Sequence, residues 1–265
     1  MSDGGAESGI LRPGESSRHF DFRSYDVGEE LTDAVQNFWT VTWDLTGSYP
    51  AKVLPWPSVN LTVTNSEADV TGLVRRCYER HLTGHGYAVG ARFRPGCFRP
   101  YLDFSVSELT DRHRPTAEVL GRNTAELRRA VADEIDPALR VPLLSAFLVE
   151  ARPEPDPTAV WLAELTELVA ARRDITRVTQ VAELAQTSVR RLQRLFADYV
   201  GASPKWVIQR FRLQEAAARA AGPEPVDWAA LAAELGFADQ AHLTRAFTAS
   251  IGTPPAAYAT QARIR

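Results

Sequence analysis

The sequence has few of the residues that would define several classes of protein. Only two of its 265 residues are cysteine, Cys77 and Cys97, too few for a disulfide scaffold or a four-cysteine zinc site. No apolar run approaches the roughly 20 residues that a membrane span needs. Residues 1–17 are rich in Gly, Ser and Glu and lack the apolar stretch of a secretory signal. We therefore expect a cytoplasmic protein with reduced thiols, no membrane partner, no bound metal, and a disordered tail at residues 1–17.

The chain also lacks the net positive charge that is typical of nucleic-acid-binding proteins. Its formal net charge is −3. The charge is unevenly distributed, however, because residues 158–265 contain 13 Lys and Arg against 10 Asp and Glu. Within residues 172–219 the count is 10 against 4. A local basic excess on one part of a protein is the electrostatic signature expected of a DNA-binding surface.

One pattern occurs twice in the last third of the chain. Leu192-x-Arg194-x-Phe196 and Gly201-x-x-Pro204 return fifty-one residues later as Leu243-x-Arg245-x-Phe247 and Gly252-x-x-Pro255. A leucine and a phenylalanine four residues apart share one helix face, and the arginine between them points elsewhere. The glycine ends each helix, since it adopts the left-handed conformation without steric cost. Ala182-Glu183-Leu184 and Ala233-Glu234-Leu235 extend the spacing upstream. The pattern predicts two helix-turn-helix units in tandem.

The amino-terminal half has the composition of a β domain. Short runs of β-branched and aromatic residues, separated by Gly, Pro, Asn and Ser, occupy residues 19–114. The clearest runs are residues 38–43, 59–64 and 87–93. They predict a mainly antiparallel domain, either a sandwich or a partial barrel. Helical patterns at residues 116–132 and 137–150 follow these strands.

The domain boundary is predicted at residues 152–157, where alternate prolines break any helix and favour an extended linker. This divides the protein into a β-rich domain at residues 18–151 and a second domain at residues 158–265, an α+β fold overall. Helix-start signals divide the second domain into seven helices without a strand. The predicted caps are Asp156, Ser188, Ser203, Asp227 and Asp239.

These residues resemble the DNA-binding domain of the AraC family of bacterial transcription regulators. Its first half is matched by Ser188-x-Arg190-x-Leu192-x-Arg194-x-Phe196, Gly201-x-Ser203-Pro204 and Arg212-Leu213-x-x-Ala216. Its second half is matched by Gly236-Phe237-x-Asp239, His242-Leu243-x-Arg245-x-Phe247 and Gly252-x-x-Pro255-x-x-Tyr258. Val207 departs from the usual aromatic, Ala259 from a frequent arginine, and no glycine marks the turn near Gln186. The resemblance implies a transcription regulator that binds double-stranded DNA and, if it is an activator, RNA polymerase.

The amino-terminal half resembles, more weakly, a β-rich domain of unknown function that precedes AraC-type DNA-binding domains. Leu54-Pro55-x-x-Ser58-Val59-Asn60-Leu61 and Val89-Gly90-x-Arg92-Phe93-Arg94-Pro95-Gly96 are the matching segments, although that family usually has aspartate at the position of Asn60. The resemblance implies a domain that senses a small-molecule effector or forms a homodimer. The candidate effector pocket consists of Trp39, Trp43, Trp56, Asn60 and Arg92. A plainer interpretation places the three tryptophans in the core of the sheet.

The exposed face of each recognition helix is predicted to read DNA. In a helix-turn-helix, residues near the start of the second helix reach base edges in the major groove. Arginine pairs with guanine and glutamine with adenine, each through two hydrogen bonds. The predicted base readers are Arg190, Arg191, Gln193 and Arg194 in the first unit and Gln240, His242, Thr244 and Arg245 in the second. The predicted phosphate contacts, near helix starts, are Thr187, Ser188, Lys205 and Arg210.

A helix from Ser203 to about Ala221 is predicted to join the two units. It would span roughly 28 Å at 1.5 Å per residue, against about 34 Å for one turn of B-DNA. Two recognition helices on such a strut could enter successive major grooves. A single chain would then read two half-sites.

Two enzyme interpretations compete with the regulator. AraC-type domains also occur in DNA-repair methyltransferases, whose zinc-bound cysteine acceptor needs clustered cysteine ligands and an activated thiolate. A cupin-like metalloenzyme fused to a DNA binder would need a His-x-His set with a carboxylate. The sequence has neither set, so we predict no catalytic residue and no cofactor.

Overall fold

The computed structural model of the chain describes residues 16–263. Most of the predicted tail, residues 1–15, lies outside the described residues. At the first described position Ser16 is buried, and its hydroxyl lies 3.2 Å from the hydroxyl of Tyr49. No helix within the described part has the length and apolar content needed to cross a membrane.

Six antiparallel strands form one sheet in the order β1-β2-β5-β3-β4-β6. They are β1 (Asp21–Tyr25), β2 (Val35–Val53), β3 (Asn60–Thr64), β4 (Ala68–Thr71), β5 (Tyr78–Phe93) and β6 (His113–Pro115). The long strands β2 and β5 pair from one end to the other, with register shifts after Val35 and after Leu45. All strands in residues 16–263 belong to this sheet, so the described domain is not a two-sheet sandwich.

One face of the sheet packs on three helices, α1 (Thr116–Leu120), α2 (Ala125–Asp133) and α3 (Pro137–Glu150). Alternating side chains of the central strands, such as Leu61 and Val89, form a core with Leu144 of α3. The helical pattern predicted at residues 116–132 forms two helices. Gly121 takes a φ of 62° and ends α1, and Asn123 accepts the Ala125 N–H at 2.8 Å, where α2 begins.

Seven helices make up the rest of the described chain, which has no strand after β6. They are α4 (Pro157–Ala171), α5 (Val178–Leu184), α6 (Val189–Leu195), α7 (Pro204–Ala221), α8 (Trp228–Glu234), α9 (Gln240–Ile251) and α10 (Pro255–Arg263). A π-helical turn, Phe196–Val200, continues α6. All five predicted caps accept a backbone N–H from the first turn of their helices. The two-domain α+β fold with a tandem helix-turn-helix is confirmed.

The upstream extension of the repeat is wrong by one residue. The Thr187 N–H donates to the Ala182 carbonyl, and the Phe237 N–H donates in the same way to the Ala232 carbonyl. Equivalent residues of the two first helices are therefore fifty positions apart in the sequence. Equivalent residues of the two recognition helices are fifty-one positions apart. The turn of the second unit contains one additional residue. The match of Ala-Glu-Leu at fifty-one does not relate equivalent positions.

The β-rich domain contacts the end of the first recognition helix. Arg99 forms an ion pair of 3.0 Å with Asp198 in the π-helical turn. The Thr110 hydroxyl donates to the Gly201 carbonyl at 2.8 Å. Both contacts join residues about a hundred positions apart in the sequence, so they fix the first helix-turn-helix unit against the β-rich domain.

Candidate nucleic-acid interface and cavity

The first recognition helix, α6, has one buried face and one polar face. The Ser188 hydroxyl begins the helix by accepting the Arg191 N–H at 3.2 Å. Leu192 and Phe196 are 0% and 1% exposed and anchor the helix in the core of the first unit. The four side chains predicted to read bases in this unit are all exposed. They are Arg190, Arg191, Gln193 and Arg194.

The arginines of α6 have no carboxylate partner within residues 16–263. Arginines elsewhere in the chain, such as Arg94 and Arg219, form ion pairs with Glu167 and Glu234. Arg245 of α9 likewise has no carboxylate partner in the described part of the chain. Positive charge that is exposed and not neutralised within the protein is available to phosphates and to the base edges of DNA.

The second recognition helix, α9, has the same cap arrangement. Asp239 accepts the His242 N–H at 2.6 Å and begins the helix. Gln240 and Arg245 are exposed, whereas His242 and Thr244 are half-buried. Three of these predicted base readers precede the arginine by one to five residues, so the polar face lies within the first two turns.

The half-buried imidazole of His242 is held by the turn. Its Nδ1 accepts the Ala238 N–H at 3.4 Å, and its ring packs edge-on against Phe237 with centroids 5.3 Å apart. A neutral imidazole that accepts through Nδ1 carries its proton on Nε2. With Nδ1 engaged by the turn, Nε2 is the nitrogen of His242 that remains for another partner.

Three of the predicted phosphate contacts lie at helix starts on or near the surface. Ser188 and Lys205 are exposed and Thr187 is half-buried. The Ser188 hydroxyl already serves as the cap of α6. Lys205 lies in the first turn of α7, where backbone N–H groups and a cationic side chain both favour an anion.

Arg210 is not available to a phosphate, which corrects its predicted role. It is 2% exposed, and its Nη2 donates to the carbonyls of Val74 and Arg75 at 3.1 and 2.6 Å. Its guanidinium lies 4.7 Å from the ring centroid of Trp206. Burial lowers the pKa of Arg210 to about 10, so the group stays charged at neutral pH. Arg210 joins α7 to the β-rich domain.

The second face of the sheet lines a cavity of about 180 Å³. All five side chains predicted for an effector pocket lie in its wall. The three tryptophans are half-buried, so they do not belong to the sheet core. The five are Trp39, Trp43, Trp56, Asn60 and Arg92.

A polar group in the same wall was not predicted from the sequence. Glu67, Asp69 and His113 lie on or beside the short strands β4 and β6. Burial, followed by the neighbouring Glu67, raises the pKa of Asp69. Strands of three or four residues are too short for an alternation to be recognised. The register of the sheet, in which Asp69 pairs with Thr62, is what brings these residues to the cavity.

One wall of the cavity is also the surface against which α7 packs. Trp56 lines the cavity and meets the ring of Phe211 edge-on, with centroids 5.4 Å apart and planes at 62°. Val74 lines the cavity, and its carbonyl accepts the hydrogen bond from Arg210. Two neighbouring residues of α7 are thus in contact with the cavity wall.

Neither cysteine has the environment of a reactive thiolate. Burial raises the pKa of the Cys97 thiol to about 12 and also raises that of Cys77. Both side chains are therefore thiols at neutral pH, and a thiol is a poor nucleophile. Among residues 16–263, no three His, Cys, Asp or Glu side chains form a group that could hold a metal ion.

Two family models match the chain. A domain of unknown function, DUF6597, matches residues 24–115, and a helix-turn-helix domain matches residues 181–261. No curated protein sequence matches the chain significantly.

Distant similarities exist among solved structures. ToxT from Vibrio cholerae O395 is 12% identical, with 94% of this chain and 100% of ToxT covered and a TM-score of 0.41. A structure of ToxT from strain SCE256 with a bound unsaturated fatty acid is also 12% identical, with 92% and 95% covered and a TM-score of 0.39. The DNA-binding domain of the transcriptional factor AdpA, in complex with a target DNA, is 27% identical, with 41% and 95% covered and a TM-score of 0.33.

The capped helix pairs, their buried Leu and Phe anchors and their exposed basic faces define a DNA-binding protein of the helix-turn-helix class. The helix-turn-helix match lies at the carboxyl end and is of the AraC type. The chain thus combines an AraC-type helix-turn-helix domain at its carboxyl end with an amino-terminal DUF6597 domain.

Proposed function

We propose that the regulator reads specific base pairs in two adjacent major grooves, with α6 and α9 as its recognition helices. The observation that supports this most directly is the same arrangement in both units. A capped helix buries Leu and Phe, and its opposite face bears Arg and Gln without carboxylate partners in the described residues. Arginine and glutamine are the side chains best suited to guanine and adenine in the major groove.

The connecting helix supports simultaneous binding of both units. α7 has 18 residues, which gives a length of about 27 Å. Successive major grooves on one side of B-DNA are about 34 Å apart. The strut is of the right order to place two recognition helices in neighbouring grooves, so the half-sites would be centred about one helical turn apart.

A change of half-site spacing tests this arrangement. The experiment uses a bound site obtained by selection from random DNA, with 5 or 10 base pairs inserted between its halves. Five added base pairs place the second half on the opposite side of the duplex. We expect the affinity for the site with 5 added base pairs, measured by fluorescence anisotropy, to fall to that of one half-site. Unchanged affinity with 5 added base pairs would contradict binding by two units.

Single substitutions separate base reading from phosphate binding. We expect Arg194→Ala and Arg245→Ala each to reduce discrimination at particular base pairs by about 1–3 kcal/mol. Lys205→Ala is the matched control, because a phosphate contact weakens binding to all sequences alike. If either arginine variant weakened binding uniformly across a panel of single-base changes, that arginine would be a phosphate contact instead.

We further propose that a small-molecule effector in the cavity controls DNA binding. The support is the shared wall, since Trp56 and Val74 face the cavity and contact Phe211 and Arg210 of α7. α7 joins the two units, and a ligand that shifts its wall would change how they are held. A ligand acts in this way only if its affinity differs between the two arrangements.

A thermal-shift screen of the full chain tests effector control. A compound that raises the melting temperature is then added to a DNA-binding assay. We expect the affinity for DNA to change in the unaltered protein and to stop responding in Arg210→Met, which removes the hydrogen bonds from α7 to the cavity wall. Compounds that stabilise the protein without any effect on DNA affinity would contradict the proposal.

The remaining predictions on partners and activity extend this proposal. A regulator of bacterial transcription works in the cytoplasm, and contact with RNA polymerase follows if it is an activator. A homodimer stays a prediction that analytical ultracentrifugation can test. The enzyme interpretation is the less favoured candidate, because two protonated thiols do not provide the activated acceptor that a methyltransferase needs.

A further inference from the structure

Two tryptophan rings lie across the sheet on its cavity side, each over a glycine of the neighbouring strand. Trp39 faces Gly90, and Trp43 faces Gly86, in the pairing of β2 with β5. A Cβ added at either glycine would stand 2.2 Å from an atom of the six-membered indole ring. Each ring therefore fills the space that a side chain on β5 would occupy, and a cross-strand pair of aromatic and glycine makes this possible.

Hydrogen bonds fix the direction of both rings. Trp39 Nε1 lies 3.4 Å from Asn60 Oδ1 on β3, one strand beyond β5. The Trp39 indole thus runs from β2 over β5 towards β3. Trp43 Nε1 donates to the Thr83 carbonyl at 3.2 Å. With both N–H groups engaged by the protein, the indoles offer the cavity their π faces, which stack on planar rings.

Trp39 belongs to a row of paired residues that crosses the sheet from strand to strand and ends in a carboxylate. From Gly90 the register continues to Thr62 on β3 and to Asp69 on β4. Neighbouring strands are about 4.8 Å apart, which places Asp69 about 10 Å along the row from Gly90. Glu67 beside it is paired with Arg80 at 3.2 Å. A half-buried carboxylate at the end of a stacking surface favours a ligand that brings a hydrogen-bond donor.

The size of the cavity limits the ligand. An apolar cavity of about 150 Å³ in another protein accommodates benzene, and the cavity of this chain has about 180 Å³. The indole faces that line it favour a flat ring that can stack on them. One or two fused rings, with a polar group on one edge, correspond to this space.

We propose that the effector is a planar aromatic compound of one or two rings with a hydroxyl or amino donor on one edge. Its ring stacks on Trp39, and its donor bonds to the Asp69 carboxylate. The action of this compound as an effector rests on the proposed function. The class of ligand rests on the cavity alone.

Four probes test the class of ligand by isothermal titration calorimetry on the full chain without DNA. They are 2-naphthol, naphthalene, 2-naphthoate and oleate. We expect 2-naphthol to bind about tenfold or more tightly than naphthalene, because it alone donates a hydrogen bond to a charged acceptor. The anionic 2-naphthoate should bind more weakly than 2-naphthol, since its charge approaches Asp69. Equal affinity for naphthalene and 2-naphthol, or tightest binding of oleate, would overturn the proposal.

Two substitutions assign the contacts. Asp69→Ala should make 2-naphthol bind no more tightly than naphthalene. Trp39→Leu should weaken the binding of 2-naphthol and of naphthalene by about fivefold. Stacking of two aromatic rings strengthens binding by roughly that factor, beyond the effect of the buried area. Trp228→Phe, in the second helix-turn-helix unit, is the matched control and should change neither affinity. Should Trp39→Leu fail to fold, the ratio of the two probes on the unaltered chain still decides the outcome.

A DNA-binding assay with each probe separates this inference from the proposed function. If 2-naphthol binds but leaves DNA affinity unchanged, the class of ligand is supported and its role as effector is contradicted. If 2-naphthol does not bind while another compound from the screen alters DNA affinity, the class of ligand is wrong and effector control is supported.

Discussion

The two helix-turn-helix units both have a capped recognition helix and the same buried Leu and Phe anchors, but their surroundings differ. Gly201 and Gly252 end the two recognition helices with φ values of 84° and 83°. A Cβ at Gly201 would lie 2.8 Å from the Thr110 hydroxyl and 3.2 Å from Val106 of the β-rich domain. A Cβ at Gly252 would have no heavy atom within 4 Å. The same local sequence thus joins the first unit to the β-rich domain and forms a helix end without such a contact in the second. We call the first the fixed unit and the second the free unit.

The exposed faces of the two recognition helices differ in the same sense. α6 bears three exposed arginines, whereas α9 bears one, together with an exposed Gln240 and the half-buried His242 and Thr244. Phosphate attraction supplies most of the sequence-independent affinity for DNA, and hydrogen bonds to base edges supply the discrimination. We therefore propose that the fixed unit carries most of the affinity and that the free unit adds selectivity to a complex that the first has already positioned.

The largest expected effect comes from removing the charge of the fixed unit. We expect the triple variant Arg190→Ala, Arg191→Ala, Arg194→Ala to weaken binding by roughly 100-fold or more, and Arg245→Ala by about tenfold. Fluorescence anisotropy on a selected duplex at constant salt measures both. Arg23→Ala is the control, because Arg23 lies in β1 and not on a recognition helix. Equal losses from the two helices would refute the division of labour between the units.

The two helix-ending glycines provide a matched pair for stability. Alanine at Gly252 meets only the backbone cost of the left-handed region, about 1 kcal/mol. Alanine at Gly201 meets the same cost and also overlaps Thr110, so we expect a loss of about 2–4 kcal/mol. Urea unfolding followed by circular dichroism gives both values. A loss at Gly201 no greater than at Gly252 would mean that the β-rich domain does not hold the first unit.

Substitution in the turn of the first unit should have a smaller effect on stability, and it should stabilise the protein. Gln186 takes a φ of 47° where the second unit has Gly236 at 75°. Gln186→Gly removes the steric cost of the left-handed conformation but gives the unfolded chain more freedom, so we expect a net gain of about 0.5 kcal/mol. Gly236→Ala should destabilise, since its Cβ would stand 2.5 Å from Thr176. Thermal unfolding that showed a loss for Gln186→Gly would point to a contact of the glutamine side chain.

The smallest effect concerns the acid stability of the fixed unit. Tyr199, in the π-helical turn after α6, donates to Asp156 at 2.8 Å. Burial alone would raise the pKa of Asp156, but the hydrogen bonds from Tyr199 and from backbone N–H groups lower it. A lowered folded pKa means that this stabilisation is present above the unfolded pKa of about 3.9 and is lost as the pH falls through the folded pKa.

Melting temperatures between pH 2 and pH 6 test this dependence. We expect Asp156→Asn to keep the helix cap, since asparagine is also a good cap, and to flatten the acid limb of the profile. Tyr199→Phe removes one hydrogen bond, so the acid limb should move to higher pH. Profiles identical to that of the unaltered chain would show that the contact contributes nothing to acid stability.

The sequence predicted the helical domain better than the β-rich domain for a physical reason. Helix caps and the Leu-x-x-x-Phe spacing are local, so Ser188, Leu192 and Phe196 could be placed without knowledge of the rest of the chain. Arg210 was misplaced although a signal existed. It lies three residues after Val207 and one before Phe211, two apolar residues whose spacing marks a buried side of the helix.

The cavity was predictable only in part. Trp39 and Trp43 share a face because side chains alternate along a strand, and β2 is long enough for this to be read. The approach of Asp69 depends on which strands pair and in what register. Neither can be read from a four-residue strand, so the acidic end of the cavity appeared only in the folded chain.

The additional residue in the second turn has a consequence for protein engineering. The additional residue lies before the Asp239 cap, so the chain reaches α9 through a longer loop than the one that leads to α6. We expect a graft of α9 residues onto α6 alone to join them to a loop of the wrong length. Exchange of target preference between the units should succeed only when each helix is transplanted together with the loop that precedes it.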